Sequence, residues 1–219
     1  MTGLPCWLAP TFDEAMTDSH ELTLDPIEAR ILGVLAEKQA TTPDYYPLTL
    51  SGVVAGCNQS TNRDPVMDLD EDRVEKALVR LHDAGLATPV RRSADRATKY
   101  RHKLDEALEI GESERAVLAV LLLRGAQTAG ELRTRTDRYV EFGSVEEVEA
   151  AIDRLEEAGL ARRLPRSPGQ SQRRVEETLS SSGDDTEEVA PERDSLEDRV
   201  RSLEERFSRL LEQLGVDDV

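Results

Sequence analysis

One segment of this chain occurs twice: VEKALVRLHDAGLA at 74–87 returns as VEAAIDRLEEAGLA at 148–161, with nine of fourteen positions identical. A duplicated segment commits the chain to two copies of one supersecondary unit. The match extends upstream, where Ile27, Ile31, Val34 and Leu35 correspond to Ser113, Val117, Val120 and Leu121 at an offset of 86 residues. The offset is 79 around Thr49 and Thr128 and 74 at the shared helix. The first copy therefore carries seven extra residues near TTPDYYPL and five near CNQSTNRDPV. Insertions of this kind fall in loops.

Each copy spells three helices and a hairpin. Asp25 before Pro26 reads as an N-cap followed by proline in the first helical position, and Ile27, Ile31, Val34 and Leu35 keep helical spacing. A short second helix is expected near 50–57. Asp70 can cap a third helix whose buried stripe is Val74, Leu78 and Leu81, with Gly85 in the left-handed position that closes it. Residues 86–90 and 98–103 then pair around RRSADRA. In the second copy Glu112 or Ser113 begins helix one, 128–136 holds helix two, and Ser144 with Glu147 forms a capping box for helix three, with Val148, Ile152 and Leu155 as its stripe. Gly159 closes that helix and LARRLPRSPGQSQRRV makes the second hairpin. Helix one of this copy, VLAVLLL, is apolar nearly all round, which predicts burial on more than one side: Leu118 and Leu122 should pack on the other copy or on another subunit. Aromatic residues are only 4% of the chain, so the cores must rest on Leu, Val, Ile and Ala, which suits helices. The expected fold is mainly α with small β-hairpin wings. It comprises two tandem winged-helix (helix-turn-helix) domains, at 23–105 and 106–176.

The flanks read differently. Residues 1–22 lack the basic start and apolar core of a secretory signal and are expected to be a disordered extension, with Met16 as a second possible start. Residues 177–194 are rich in Ser, Gly and acid, the composition of a disordered linker. At 195–215, Leu196, Val200, Leu203, Phe207, Leu210 and Leu214 recur every 4, 3, 4, 3 and 4 residues, a seam of about three heptads. A homodimer through this coil is expected, with a helix folded back on its own body as the alternative. No apolar run reaches membrane length, so no membrane partner is expected and the place is the cytoplasm.

A net charge of −17 argues against nucleic acid until it is divided along the chain: residues 1–22 hold four of the negative charges, residues 177–219 a net nine, and the body between them four. The hairpins run the other way. Arg91, Arg92, Arg96, Lys99, Arg101 and Lys103 stand in the first against Asp95 alone, and Arg162, Arg163, Arg166, Arg173 and Arg174 in the second with no acid. Arginine clustered on a hairpin suits phosphate, through bidentate hydrogen bonds and counterion release. Arg133, Arg135 and Arg138 add to this set from the second helix of copy two. The third helices oppose it, because Glu146, Glu147, Glu149, Asp153, Glu156 and Glu157 face one basic residue, Arg154, and would be repelled from a groove.

The runs EARILGVLAEKQATTPDYYPLTLSGVVAGCNQSTNRDPV, TKY and LLLRGAQTAGELRTR, together with the leucine coil, resemble the YceH-like family of bacterial proteins over roughly residues 23–215. The resemblance implies two tandem winged-helix domains and supplies no mechanism. The loop within it gathers Asn58, Gln59, Asn62, Arg63 and Asp64, read either as a binding cluster or as short side chains satisfying loop backbone.

Two functions remain open: a DNA-binding or regulatory protein that touches duplex DNA through its wings, or a protein-interaction adaptor. Catalysis is not expected. His20, His82 and His102 are scattered, Cys6 and Cys57 lack metal or redox spacing, and no phosphate-gripping loop is present, so neither cofactor nor metal is expected.

Overall fold

The Asp25 carboxylate accepts hydrogen bonds from the Ile27 and Glu28 amides at 2.7 and 2.8 Å, while the Asp25 N–H donates to the Glu28 carboxylate at 2.9 Å. That reciprocal cap, with Pro26 behind it, starts α1 (Pro26–Thr41). The computed structural model describes residues 22–91, 97–166 and 172–180. The expected N-terminal extension up to residue 21, the tips of the two hairpins, the expected linker from 181 and the expected coil at 195–215 lie outside the described residues.

From α1 the first half continues through β1 (Leu48–Thr49), α2 (Leu50–Cys57), α3 (Glu71–Asp83), β2 (Ala87–Val90), β3 (Lys99–His102) and a short α4 (Leu104–Leu108). The second half repeats the order as α5 (Glu112–Arg124), β4 (Gln127–Thr128), α6 (Ala129–Thr136), α7 (Val145–Glu157), β5 (Ala161–Arg163) and β6 (Arg174–Glu177). The described residues are thus mainly helical, with seven helices and two small antiparallel sheets. Each sheet has its last strand in the middle, in the orders β1-β3-β2 and β4-β6-β5. The hairpins pair Ala87 with His102 and Ala161 with Glu177. No helix among the described residues is long and apolar enough to cross a membrane.

The duplication reaches into atomic detail. Thr49 and Thr128 cap α2 and α6 through their hydroxyls. Asp70 and Ser144 cap α3 and α7, and Gly85 and Gly159 leave those helices at φ +74° and +71°. In both halves a buried glutamate on the first helix meets an arginine on the third: Glu28 with Arg80 at 2.6 Å, and Glu114 with Arg154. Those pairs explain how Glu28 and Glu114 can lie buried.

Several details depart from expectation. Each sheet is three-stranded, because the residues just before α2 and α6 add a strand beside the hairpin. Helix α4 was not anticipated. The Ser144 hydroxyl accepts from the Glu147 amide, but the Glu147 carboxylate turns back one residue further and accepts from Gly143 N–H at 3.0 Å, so the expected capping box is half formed. Helix α5 does start at Glu112, one of the two expected positions, but with no side-chain cap. The ordered body also runs into the expected linker: the Leu24 N–H donates to Leu179 O at 2.7 Å, and Leu24 bridges Ser180 in parallel.

The two halves share one core. Helices α1 and α5 pack on each other, and Ile31, Leu32 and Leu35 join Leu118, Leu121 and Leu123 in a single apolar cluster. Leu118 is fully buried and Leu122 is 7% exposed, which is the burial expected for the all-round apolar helix. Gly33 permits the close crossing, since a Cβ there would lie 2.8 Å from Leu123 Cγ.

His102 shows how thoroughly this body dries its polar groups. It is 4% exposed, with its ring against Gln39 and its Nδ1 accepting from the Leu104 N–H at 3.2 Å. Burial outweighs the nearby Asp105 and takes its pKa down to about 4, so it is neutral in the fold. The unfolded chain, with an ordinary histidine near 6.5, binds the proton first as pH falls. Stability from this group is therefore complete above about pH 6.5 and is lost between there and about pH 4, roughly 2 kcal/mol of it by pH 5. Urea unfolding at pH 7 and pH 5 should show that loss in the natural chain and a smaller one in His102→Gln. Equal losses would refute the assignment.

Candidate nucleic-acid interface

The two hairpins set out their cations unequally. In the first, Arg91 is exposed at the end of β2. Arg101 and Lys103, on and just after β3, both reach Glu106 of α4, at 3.4 and 3.2 Å. Lys99 lies on β3, paired with Val90. Arg92 and Arg96 lie outside the described residues.

In the second hairpin the strands deliver their arginines back to the body. Glu149, Asp153 and Glu156 follow one another at spacings of four and three along α7, and so share a face. Arg163 of β5 sits on that face, 2.6 Å from Glu149 and 2.8 Å from Asp153, and bonds Glu156 as well. These carboxylates hold the guanidinium well above its ordinary pKa despite partial burial. Arg162 pairs with Glu176 at 2.6 Å across the hairpin. Arg174 donates to Ala126 O at 2.7 Å and lies 3.8 Å from Glu131. That leaves Arg166 and Arg173, which flank the tip, are exposed, and have no ion-pair partner among the described residues. The acidic third helix and the basic hairpin of copy two thus meet through Arg163, which faces three of the helix's carboxylates.

The arginines of the second helix are also divided. Arg133 donates to Gly143 O at 3.1 Å and to Phe142 O at 3.5 Å, tying α6 to the turn before α7. Arg135 and Arg138 line a cleft against the first half, away from either hairpin.

The loop 58–65 does structural work. Asn58 makes two hydrogen bonds with the Leu69 backbone, at 2.8 and 2.9 Å. Arg63 is buried and saturated. Its Nε donates to Gly56 O at 3.0 Å, Nη1 to Asn62 O at 2.9 Å, and Nη2 to Glu37 at 2.6 Å and Gln59 at 2.9 Å. Burial would raise the Glu37 carboxyl, but the hydrogen bond and charge of Arg63 more than reverse this, and its pKa falls. The Tyr139 hydroxyl reaches the same carboxylate from the second half at 3.3 Å. The Asp64 N–H donates to Leu123 O at 2.9 Å and the Asn62 side chain accepts from Arg124, so the loop clasps the end of α5.

Among the groups considered for chemistry, Cys57 is buried and its thiol is pushed up to about 12 by burial, which leaves it without thiolate character near neutrality. His82 points Nδ1 to Ala87 O at 3.3 Å. No group of three or more His, Cys, Asp or Glu among the described residues is placed to hold a metal.

The buried pairs within each half, Glu28 with Arg80 and Glu114 with Arg154, and Glu37, which joins the halves through Tyr139, were not anticipated. A signal existed for two pairs: Glu28 and Glu114 stand at the 86-residue offset, and Arg80 and Arg154 at the 74-residue offset.

A family model described as protein of unknown function, DUF480, matches residues 24–170. The chain is 43% identical over 191 residues to a UPF0502 protein of Solibacter usitatus, covering 85% of this chain and 92% of that one. It is 47% identical over 160 residues to a UPF0502 protein of Koribacter versatilis, covering 72% and 74%. With UPF0502 protein YceH of Escherichia fergusonii the identity is 40% over 206 residues, covering 89% and 95%.

Proposed function

The chain belongs to the family described as protein of unknown function, DUF480, and within it we propose a cytoplasmic, regulatory DNA-binding protein that touches phosphate through the ends of two wings. Each half, with the order helix, strand, helix, helix, hairpin, is read as a winged-helix unit, and the coil at 195–215 is read as pairing two copies. One observation carries the proposal: Arg91, Arg166 and Arg173 are exposed at the wing ends without an ion-pair partner among the described residues, beside Arg92 and Arg96 in sequence. The other hairpin arginines are matched by carboxylates or carbonyls.

The same geometry argues against base reading by α7. Its exposed Glu146, Glu147, Asp153 and Glu157 would face a polyanion. Binding is therefore expected to be weak and insensitive to sequence.

On a random duplex, fluorescence anisotropy of the full chain should show log affinity falling with log salt at a slope of about −4 to −5 per protomer if the five wing-end arginines each displace a counterion. Changing Arg91, Arg166 and Arg173 to glutamine should cut that slope by more than half, whereas Arg162→Gln should leave it unchanged. No binding at low salt would reject the wings as a phosphate surface. The second reading, a protein-interaction adaptor, then takes precedence; it is favoured by Val79, 55% exposed within the acidic outer face of α3.

A further inference from the structure

Asn62 takes the left-handed conformation, at φ +60°, and its side-chain oxygen accepts from Arg124 at the end of α5. Arg124, together with Arg135 on α6 and Arg138 just beyond it, lines a cleft of about 150 Å³ whose floor includes Val120 and Leu123. The cleft lies between the two halves, since Glu37 and Asn62 come from the first and the arginines from the second.

Its charge is unbalanced. Glu37 is the one carboxylate in the lining, and it is already met by Arg63 at 2.6 Å, Lys38 at 3.5 Å and the Tyr139 hydroxyl at 3.3 Å. Arg135 has only Glu131, at 3.7 Å, and Arg138 has no ion-pair partner among the described residues. Three arginines thus line a small space with little to neutralise them. Burial and then the charge of Arg135 lower the pKa of Arg124, which marks the repulsion.

We propose that this cleft binds a small multivalent oxyanion, a compact molecule carrying phosphate or several carboxylates. Guanidinium forks pair two-by-two with the oxygens of such groups, and the apolar floor accepts a short carbon body. At about 150 Å³ the cleft is well below the roughly 300 Å³ where sites for larger organic ligands begin. The bound anion would tie the loop after α2 to α6, and so one half to the other. This site does not depend on the wings, and its test is separable from theirs.

The full chain is unfolded thermally in increasing inorganic phosphate, in citrate, and in sodium chloride at matched ionic strength. A saturable rise in Tm by several degrees with phosphate or citrate beyond chloride is expected, the responding anion naming the group recognised. Arg138→Gln and Arg135→Gln should remove most of that rise, and Arg166→Gln, on the wing, should retain it. Equal rises in all variants would mean general salting-out and overturn the proposal, as would the absence of any rise beyond chloride. Loss of duplex affinity in Arg138→Gln without an anion-specific rise would also overturn it, assigning these arginines to a nucleic-acid surface.

Discussion

Replacing Arg63 by alanine is expected to destabilise the protein by about 3–5 kcal/mol, the range for removing one partner of a buried ion pair. The side chain is fully buried and its donors are all engaged: Gly56 O, Asn62 O, Gln59 and both oxygens of Glu37. Without it, two backbone carbonyls lose a donor, and Glu37, 4% exposed, keeps only Lys38 and the Tyr139 hydroxyl. A carboxylate so placed favours protonation, so the variant's Glu37 pKa should rise where the natural one is depressed. The natural Glu37 stabilises the fold above the ordinary carboxylate range and that contribution disappears as pH falls through its lowered folded value; in the variant the sign reverses, and protonation of the raised carboxyl should shrink the penalty as pH falls. For a body of this size the variant should melt roughly 10 °C or more below the natural chain. Arg63→Ala combined with Glu37→Gln should cost less than the two single changes summed, because no charge is then left buried alone. A loss below about 1 kcal/mol for Arg63→Ala would mean that water enters this junction.

That junction was hidden in the sequence for a physical reason. Asn58, Gln59, Asn62, Arg63 and Asp64 stand together in the chain, so a binding cluster and a structural loop predict the same letters. What separates the two readings is Glu37, 26 residues away, and Tyr139, 102 residues from Glu37. Local patterns carry no information about such partners. Caps and helix closures were legible because their partners lie within three or four residues: Asp25, Asp70 and Ser144 bond the amides just ahead of them, and Gly85 needs only its own φ. The strands β1 and β4 escaped because two residues, Leu48–Thr49 or Gln127–Thr128, are too short to show alternation.

The candidate interface was legible as composition and illegible as geometry. Counting Arg162, Arg163 and Arg174 as free cations treats each side chain as if solvent were its only neighbour. Arg163 instead meets Glu149, Asp153 and Glu156, residues that had been counted separately as an acidic helix face. Their spacing along α7 could have suggested one acidic stripe, but only the fold of the hairpin brings Arg163 onto it. Arg135 and Arg138 were similarly assigned to DNA from charge alone, while the crossing of the two halves turns them to the inter-half cleft.

The crossing itself gives the second large effect. Gly33 lies where α1 meets α5, and a Cβ built on it falls 2.8 Å from Leu123 Cγ, 2.9 Å from Leu123 Cδ2 and 3.2 Å from Leu122 Cβ. Leu123 is 1% exposed, so it has no empty space to move into. Gly33→Leu must either drive the helices apart or force Leu123 from its rotamer, and overpacking of this kind costs about 3 kcal/mol or more where the site cannot relax. Because this contact lies in the core shared by both halves, the damage should reach beyond α1 and lower protection of α5 amides in hydrogen exchange. Gly33→Ala should cost less than Gly33→Leu, although glycine to alanine within a helix otherwise stabilises by about 0.5–1 kcal/mol. Gly33→Ala on a Leu123→Ala background should recover that helix gain, since the Cγ and Cδ2 atoms that meet the new Cβ are gone. If Gly33→Leu melts with the natural chain and leaves α5 protected, the two halves are not held by this crossing.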